Sequence, residues 1–365
     1  MKALGLLSGT SADGVDAALV DLSHGGRDRI RLLLAKTFPY PAPLRERVLA
    51  AHDARTPEIA ALHADLGDAF AAAAVKLLRA AGDKGIGRPS VIGSHGQTIY
   101  HLPGRASIQI GDASRIAHRT GIRVVSDFRA GDIAVGGSGA PLVPILDERL
   151  FGDLSGGTVS LNLGGIANVT HIANRRVRLG FDTGPANAPM DAAIRLSGRG
   201  GFDRNGLLAM AGRTDPALLA MLMEDSYFSR KPPKSLERET FGAALVKPLL
   251  DSHRLEDLVS TLTDLSVETI ADAISRWCLP SQRLVISGGG AKNKCLLMRL
   301  ARALDRRKVR LTIETSEAHG IHPDQKEAVL FALLAAMRME EKEGNVPAAT
   351  GARDRVVLGA LHLPW

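Results

Sequence analysis

Residues 3–21, ALGLLSGTSADGVDAALVD, decide the fold. Ala3–Leu7 and Val15–Asp21 are apolar runs of strand type, and Ser8–Gly14 between them consists of turn formers, so the segment reads as a β-hairpin with a polar loop. Gly9, Thr10, Ser11, Ala12, Asp13 and Gly14, running on into Val15 and Asp16, bring backbone N–H groups and hydroxyls into a sharp turn that suits phosphate oxygens. Asp13 or Asp16 offers a carboxylate to Mg²⁺ through water, because that ion keeps most of its waters and asks for few carboxylates. An ordinary polar hairpin is the simpler alternative, and the loop is no Walker motif, since GxxxxGK[ST] is absent.

The pattern restarts at Thr158: an apolar run to Leu163, Gly164-Gly165, a second run from Ile166 to Ile172 and a third from Val177 to Asp182. SLNLGGIANVTHI thus repeats the opening hairpin weakly, which predicts two similar halves facing one cleft. A third glycine cluster, Ser287–Asn293, follows the strand-like Leu284-Val285-Ile286 and opens a helix, presenting backbone amides and a helix N-terminus. Three such turns in this order point to a nucleotide, with Asn162, Gly164, Gly165, Gly288, Gly289, Gly290 and Asn293 as contacts.

Between the repeats, helices are expected at 44–53 and 57–81 and strands at 90–94, 106–110 and 122–126, with a helix capped by Asp112. The uncharged Ile133–Leu146, with three glycines and two prolines, is the best domain junction. Beyond Asp182 the chain reads as mostly helical (239–254, 256–278, 292–305, 324–341), interrupted by strands at 283–287, 309–313 and 355–358.

The 365 residues suit two domains. With only nine Phe, two Trp and three Tyr, stacking platforms for single-stranded nucleic acid are a poor reading. The net charge of +7 is scattered; its densest patches, Arg175–Arg178 and Arg302–Arg310, read first as solvated surface. Two cysteines without ligand spacing support neither a disulfide framework nor a zinc site. The N-terminus lacks a signal-type apolar core, and no stretch makes a good membrane span, so a cytoplasmic protein without nucleic-acid or membrane partner is expected.

Four further segments carry candidate chemistry. In Gly180–Asn187, Asp182 ends a strand on a turn stiffened by Pro185, where a fixed carboxylate can act as general base; the competing reading is an N-cap for a helix at 188–197. Ser94–Thr98 (SHGQT) likewise ends a strand with groups that hydrogen-bond sugars, although a lone histidine such as His95 is more often structural. Pro232–Ser235 and Arg238-Glu239 are most simply a cap and turn. Glu327 stands in the first turns of a helix, a surface position by default. No Ser/His/Asp order, HExxH or EF-hand loop is evident.

Taken together, GLLSGTSADGVDAALVD, SHGQT, IQIGDASRIA, DFRAGDIAVGGSGAPLVP, NLGGIANVT, GFDTGPANAPMD, PPKSLERETF, ISGGGAKN and DQKEAVLFALLA span essentially the whole chain. In this order they resemble the anhydro-N-acetylmuramic acid kinases of the sugar kinase, Hsp70 and actin ATPase superfamily. The resemblance implies an α/β protein of two ribonuclease-H-like (actin/hexokinase-type) domains, with mixed sheets flanked by helices and an interdomain cleft. The domains would be 1–135 and 136–365, with the last strand near 355–360 free to return to the first. It implies conversion of 1,6-anhydro-N-acetylmuramic acid, ATP and water to N-acetylmuramic acid 6-phosphate and ADP, a step of peptidoglycan recycling, in a homodimer.

By motif, Gly9–Asp16 become the ATP phosphate loop, Asp182 the base that activates water for attack on C1, and His95, Gln97, Thr98, Arg129 and Glu327 the sugar contacts. Arg129 suits the lactyl carboxylate. The chain departs from the family pattern at Ser138, Ala186 and Ala130-Gly131, positions that touch the expected sugar site and the turn after Asp182. Two alternatives stay open: a conventional sugar or hexosamine kinase, in which Asp182 deprotonates a hydroxyl, and a non-catalytic ATP-dependent binding protein.

Overall fold

The opening hairpin forms as read. In the computed structural model, which describes residues 1–9, 12–23, 30–236 and 238–365, strand β1 (Lys2–Ser8) pairs antiparallel with β2 (Gly14–Asp21), Leu4 opposite Leu19. Thr10 and Ser11 of the expected phosphate loop lie outside the described residues. The remaining strands are β3 (Arg31–Pro39), β4 (Val91–Leu102), β5 (Ala106–Ile110), β6 (Val124–Ser126), β7 (Thr158–Leu163), β8 (Ile166–Ala173), β9 (Arg176–Pro185), β10 (Arg283–Ser287), β11 (Thr312–Thr315) and β12 (Ala360–His362).

They form two sheets, ordered β12-β6-β4-β1-β2-β3 with β5 on β4, and β11-β10-β7-β8-β9. Each builds an antiparallel meander (β1-β2-β3, β7-β8-β9) and extends it by parallel strands beside the first member: β4 and β6 in one, β10 and β11 in the other. This shared order is the ribonuclease-H-like topology, and it accounts for the weak repeat between the two hairpins. Parallel neighbours demand crossover helices, so the central strands are covered and read as continuous apolar runs.

The chain divides into two compact units, Met1–Leu150 with Gln325–Trp365, and Phe151–Asp324. These limits differ from the expected 135/136 division. The helix Val143–Phe151 ends the outward passage of the first unit, and the helix Lys326–Met339 returns to pack on β1 and β4. Alternation along the strands separates the two faces: Leu4, Leu6 and Ile92 join a core with Leu62, Leu66, Phe70 and Leu77 of the helix Thr56–Asp83. On the opposite face, Gly5 and Gly93 lie directly under the backbone of the helix Lys326–Met339. In the second unit, Val159, Leu161, Leu284 and Ile286 pack with Leu258, Leu262 and Ile270 of the helix Leu255–Trp277 and with Leu296 and Leu300 of the helix Lys294–Arg306.

Three local expectations shift. SHGQT does not end its strand, because β4 runs on to Leu102 and pairs with β5, Gln97 opposite Ile110. The segment 355–358 is not a strand; β12 begins at Ala360 and pairs antiparallel with β6, closing the first sheet. The helix expected at 188–197 begins at Asn187 with Ala186 at its N-cap and no side-chain cap, so Asp182 is not its capping group.

Candidate active site

In the second unit, Asp182 lies four residues from the end of β9 and is held on three sides. Its backbone N–H donates to the Lys234 carbonyl (3.0 Å), its carbonyl accepts from the Tyr227 hydroxyl (2.7 Å), and its Oδ2 accepts from the Leu236 N–H (2.9 Å). The other carboxylate oxygen, Oδ1, accepts from no described residue. Desolvation raises the pKa to about 6, against the Leu236 N–H and the Lys234 ammonium, which both pull it down. A carboxylate fixed through one oxygen and poised near neutrality has the properties of a general base.

The glycine turns of this unit sit against each other. Ser287 pairs with Asn162 in the parallel β10–β7 register, and Asn187 Nδ2 donates to the Leu163 and Gly164 carbonyls (3.0 and 2.8 Å). Gly288 has φ +82°, and a Cβ there would meet Asn162 Oδ1 and the Leu163 carbonyl at 2.7 Å; one on Gly290 would meet Leu163 Cβ at 2.6 Å. Those two glycines are needed for turn packing. Gly289 and Gly164 have room for a methyl group, so no described neighbour requires glycine there. Asn293 is buried and its Oδ1 caps the helix Lys294–Arg306 through the Leu296 N–H (3.0 Å). Gly165 lies in the β7–β8 turn, its carbonyl accepting from the Ala186 and Ala188 N–H groups.

In the first unit, Ser8 Oγ donates to Gln97 Oε1 (2.6 Å), and Gln97 Nε2 donates to the Gly9 carbonyl (3.4 Å), so SHGQT supports the hairpin loop from the neighbouring strand. The Ala12 N–H closes the turn on the Gly9 carbonyl (3.1 Å) with Ala12 at φ +52°, a strained region for a residue with a Cβ. Gly14 and Val15 are structural: a Cβ on Gly14 would lie 2.2 Å from the Phe38 carbonyl, and Val15 is core. Asp13 pairs with the Arg45 guanidinium (3.2 Å) on the exposed side of the loop. Asp16 accepts from Thr37 Oγ1 (2.5 Å), and its charge raises the pKa of both Tyr40 and Glu327, which places it on the side of those groups. Thr98 Oγ1 accepts from Gln109 Nε2 (3.3 Å).

His95 is buried, stacked on Phe331 (ring centroids 4.4 Å apart), and its Nε2 receives the Arg129 Nε–H (3.1 Å). Arginine can only donate, so Nε2 carries the lone pair and the ring is neutral; desolvation and the guanidinium hold its pKa well below the ordinary value. His95 thus holds Arg129 through its Nε2. Arg129 also reaches the Gly139 carbonyl (3.4 Å) and feels the charge of Glu327. Glu327 reaches solvent, but desolvation still outweighs Arg129 and raises its pKa. His95→Leu leaves the Arg129 Nε–H without an acceptor and should cost about 1–3 kcal/mol in urea unfolding, whereas His95→Gln should recover part of it.

Sequence reasoning missed the group that holds this loop. Asp132, fully buried, accepts from Gly139 N–H (2.8 Å), Asn345 Nδ2 (2.8 Å) and Thr350 Oγ1 (2.7 Å), and Ser138 Oγ donates within the same loop to the Ala140 carbonyl (2.5 Å). Two of its partners, Asn345 and Thr350, lie more than 200 residues away in the chain, which no local pattern signals. The departure at Ser138 thus has a local use, and Ala186 is a buried N-cap position.

Among the described residues no group of three or more His, Cys, Asp or Glu side chains converges as a metal cage, and no helix is long and apolar enough to cross a membrane. The basic patches are partly paired, Arg306 and Arg307 both with Glu268 at 2.6 Å.

Comparison with known proteins adds the following. A family model described as anhydro-N-acetylmuramic acid kinase matches residues 1–364. A relative of that name from Xanthomonas oryzae pv. oryzae is 43% identical over 370 residues, covering 98% of this chain and 96% of its own. Another from Gloeobacter violaceus is 41% identical over 377 residues, covering 99% and 98%. Among solved structures, the ADPNP-bound activator of the 2-hydroxyisocaproyl-CoA dehydratase from Clostridium difficile is similar at a TM-score of 0.47 and 13% identity, over 93% of this chain and 96% of that one.

Proposed function

The chain belongs to the anhydro-N-acetylmuramic acid kinase family, and on that premise we propose that it uses ATP and water to convert 1,6-anhydro-N-acetylmuramic acid to N-acetylmuramic acid 6-phosphate and ADP. The observation that carries this reading is Asp182, with Oδ2 tied to the Leu236 N–H, no donor to Oδ1 among the described residues and a pKa of about 6. Such a group is mostly ionised at neutral pH and still basic enough to take a proton from water.

Asp182 Oδ1 accepts the proton as the water oxygen bonds to C1. The C1–O6 bond breaks, O6 bonds to the γ-phosphorus, and the bond from that phosphorus to the β–γ bridging oxygen breaks to release ADP. Electrons pass along one line from water to ADP, and the proton left on Asp182 is released to solvent. In this scheme the Gly9–Asp16 segment binds the phosphates, with the open side of Gly9 admitting a phosphate oxygen. Gly164 and Gly289, where a Cβ has room, are nucleotide contacts in the same proposal. Arg129, held by His95, is suited to the lactyl carboxylate, with Gln97, Thr98 and Glu327 as neighbouring sugar contacts.

Asp13, on the exposed side of the loop beside Arg45, or Asp16, beside the Thr37 hydroxyl, would offer a carboxylate to a Mg²⁺ that keeps most of its waters. When bound, that ion neutralises charge on the phosphates. A homodimer in the cytoplasm belongs to the same proposal, and the free thiols of Cys278 and Cys295 suit a reducing compartment.

The test is a substrate panel in ¹⁸O-water. ATP should be consumed with the anhydro sugar and not with free N-acetylmuramic acid or N-acetylglucosamine, and the label should appear at C1 of the product. Consumption with the free sugars, or an unlabelled C1, would mean that Asp182 deprotonates a hydroxyl as in a conventional kinase.

A further inference from the structure

Pro232–Ser235 reads in the sequence as part of a cap and turn, yet the hydrogen bonds of residues 234 and 236 go to β9. The Lys234 carbonyl receives the Asp182 N–H (3.0 Å), and the Leu236 N–H is the donor to Asp182 Oδ2 (2.9 Å). The Lys234 side chain makes bonds of its own. Its Nζ donates to the carbonyls of Tyr227 (2.9 Å) and Phe228 (3.2 Å), at the end of the short helix Ser226–Ser229, and lies 4.4 Å from the centre of the Tyr227 ring. Tyr227 in turn donates its hydroxyl to the Asp182 carbonyl (2.7 Å). One ammonium group therefore ties together both pieces of chain that grip Asp182, through two carbonyls and a ring face.

We propose that Lys234 is a positioning residue for Asp182: it locks the 232–236 segment to the 226–229 helix, keeps the Leu236 N–H on Oδ2, and places a positive charge beside the carboxylate. This rests on the reading of Asp182 as the base. The charged and titratable groups around this arrangement are Tyr227 and Arg230 from the helix and the residue after it, Lys234, and Asp272 and Arg276 from the helix Leu255–Trp277. Desolvation, with Arg230 and Arg276, lowers the Lys234 pKa, and Asp272 and Asp182 oppose that shift.

The sign of the consequence is fixed. Burial pushes the Asp182 pKa up, and the Leu236 N–H and Lys234 ammonium pull it down. Loss of Lys234 removes the charge and loosens the N–H, so both effects raise the pKa and leave less ionised base at a given pH. Turnover then falls most at low pH and recovers as the pH rises above the new pKa.

The experiment compares kcat/KM against pH, with anhydro-N-acetylmuramic acid and ATP, for the intact wild-type chain, Lys234→Met, Lys234→Gln and Asp182→Asn, with the Leu236 amide proton followed by NMR as a direct reporter of the carboxylate. Wild type should show an acid limb near 6, matched by the amide titration. In Lys234→Met both should move up by about one pH unit, lowering kcat/KM about tenfold at pH 5.5 and less than about threefold at pH 8.5, with KM for ATP unchanged. Lys234→Gln, which keeps a donor for the carbonyls but drops the charge, should shift both in the same direction by less, and it carries the test should Lys234→Met fail to fold. A limb and amide titration that stay in place in both variants overturn the proposal, whether or not turnover falls uniformly. A wild type without the limb, or full turnover in Asp182→Asn, would instead remove the base assignment on which it rests.

Discussion

Asp182→Asn lowers turnover of anhydro-N-acetylmuramic acid by about 10²–10⁴-fold, the range a positioned general base supplies, and at the same time makes the protein more stable. The asparagine oxygen can still accept the Leu236 N–H, so the geometry around residue 182 survives and ATP binding is retained. What goes is the group that removes the proton from water. The gain in stability follows from the raised pKa. A carboxyl that rises from its ordinary 3.8 to about 6 on folding binds a proton more readily in the folded state. Stability then falls as pH rises between those values, and above 6 the ionised carboxylate costs about 3 kcal/mol relative to a neutral group. Asparagine removes that cost. Urea unfolding should show the variant matching wild type below pH 3.8 and exceeding it by about 1–3 kcal/mol at pH 8. Equal stability at both pH values would mean that burial does not weigh on Asp182, and retained turnover would mean that another group takes the proton.

The fold was legible wherever it rests on short-range pattern. Alternation and turn chemistry in residues 3–21 and 158–182 locate both meanders, and the acidic cap at Asp112 is realised through the Ser114 and Arg115 N–H groups. What was not legible depends on residues distant in sequence. Nothing near Gly5 or Gly93 reveals that a helix beginning at Lys326 crosses them, and nothing near Lys326 reveals its buried ion pair with Asp147 (2.5 Å). The same holds at the site. Asp182 stands out through its strand-end motif, but its competing reading as an N-cap falls only when Ala186 is seen in that place and the Leu236 N–H is found on the carboxylate. At His95, residue type alone hides that its Nε2 accepts from Arg129.

The glycines divide along the same line, and a set of single methyl groups separates them. The many glycines of the motif blocks suggest a cleft lined throughout by close-approach backbone, but a Cβ on Gly5 would lie 1.8 Å from the Ala328 carbonyl oxygen and one on Gly93 would lie 2.0 Å from that of Phe331. Neither oxygen can give way alone, since each belongs to the helix Lys326–Met339 packed across β1 and β4. Gly5→Ala or Gly93→Ala must therefore push the helix off the sheet, and each should cost about 3 kcal/mol or more in urea unfolding. Gly9 and Gly289 are different: neither has a positive φ, and a Cβ would meet no described atom within 4 Å. Alanine there should change stability by less than about 0.5 kcal/mol. If the open side is where phosphate oxygens approach, Gly9→Ala should raise KM for ATP about tenfold or more, the equivalent of about 1.4 kcal/mol of lost binding. A Gly9→Ala enzyme with wild-type KM and kcat would place the phosphates elsewhere than the Ser8–Gly14 loop. A stable Gly5→Ala would mean that the Lys326–Met339 helix does not rest on β1.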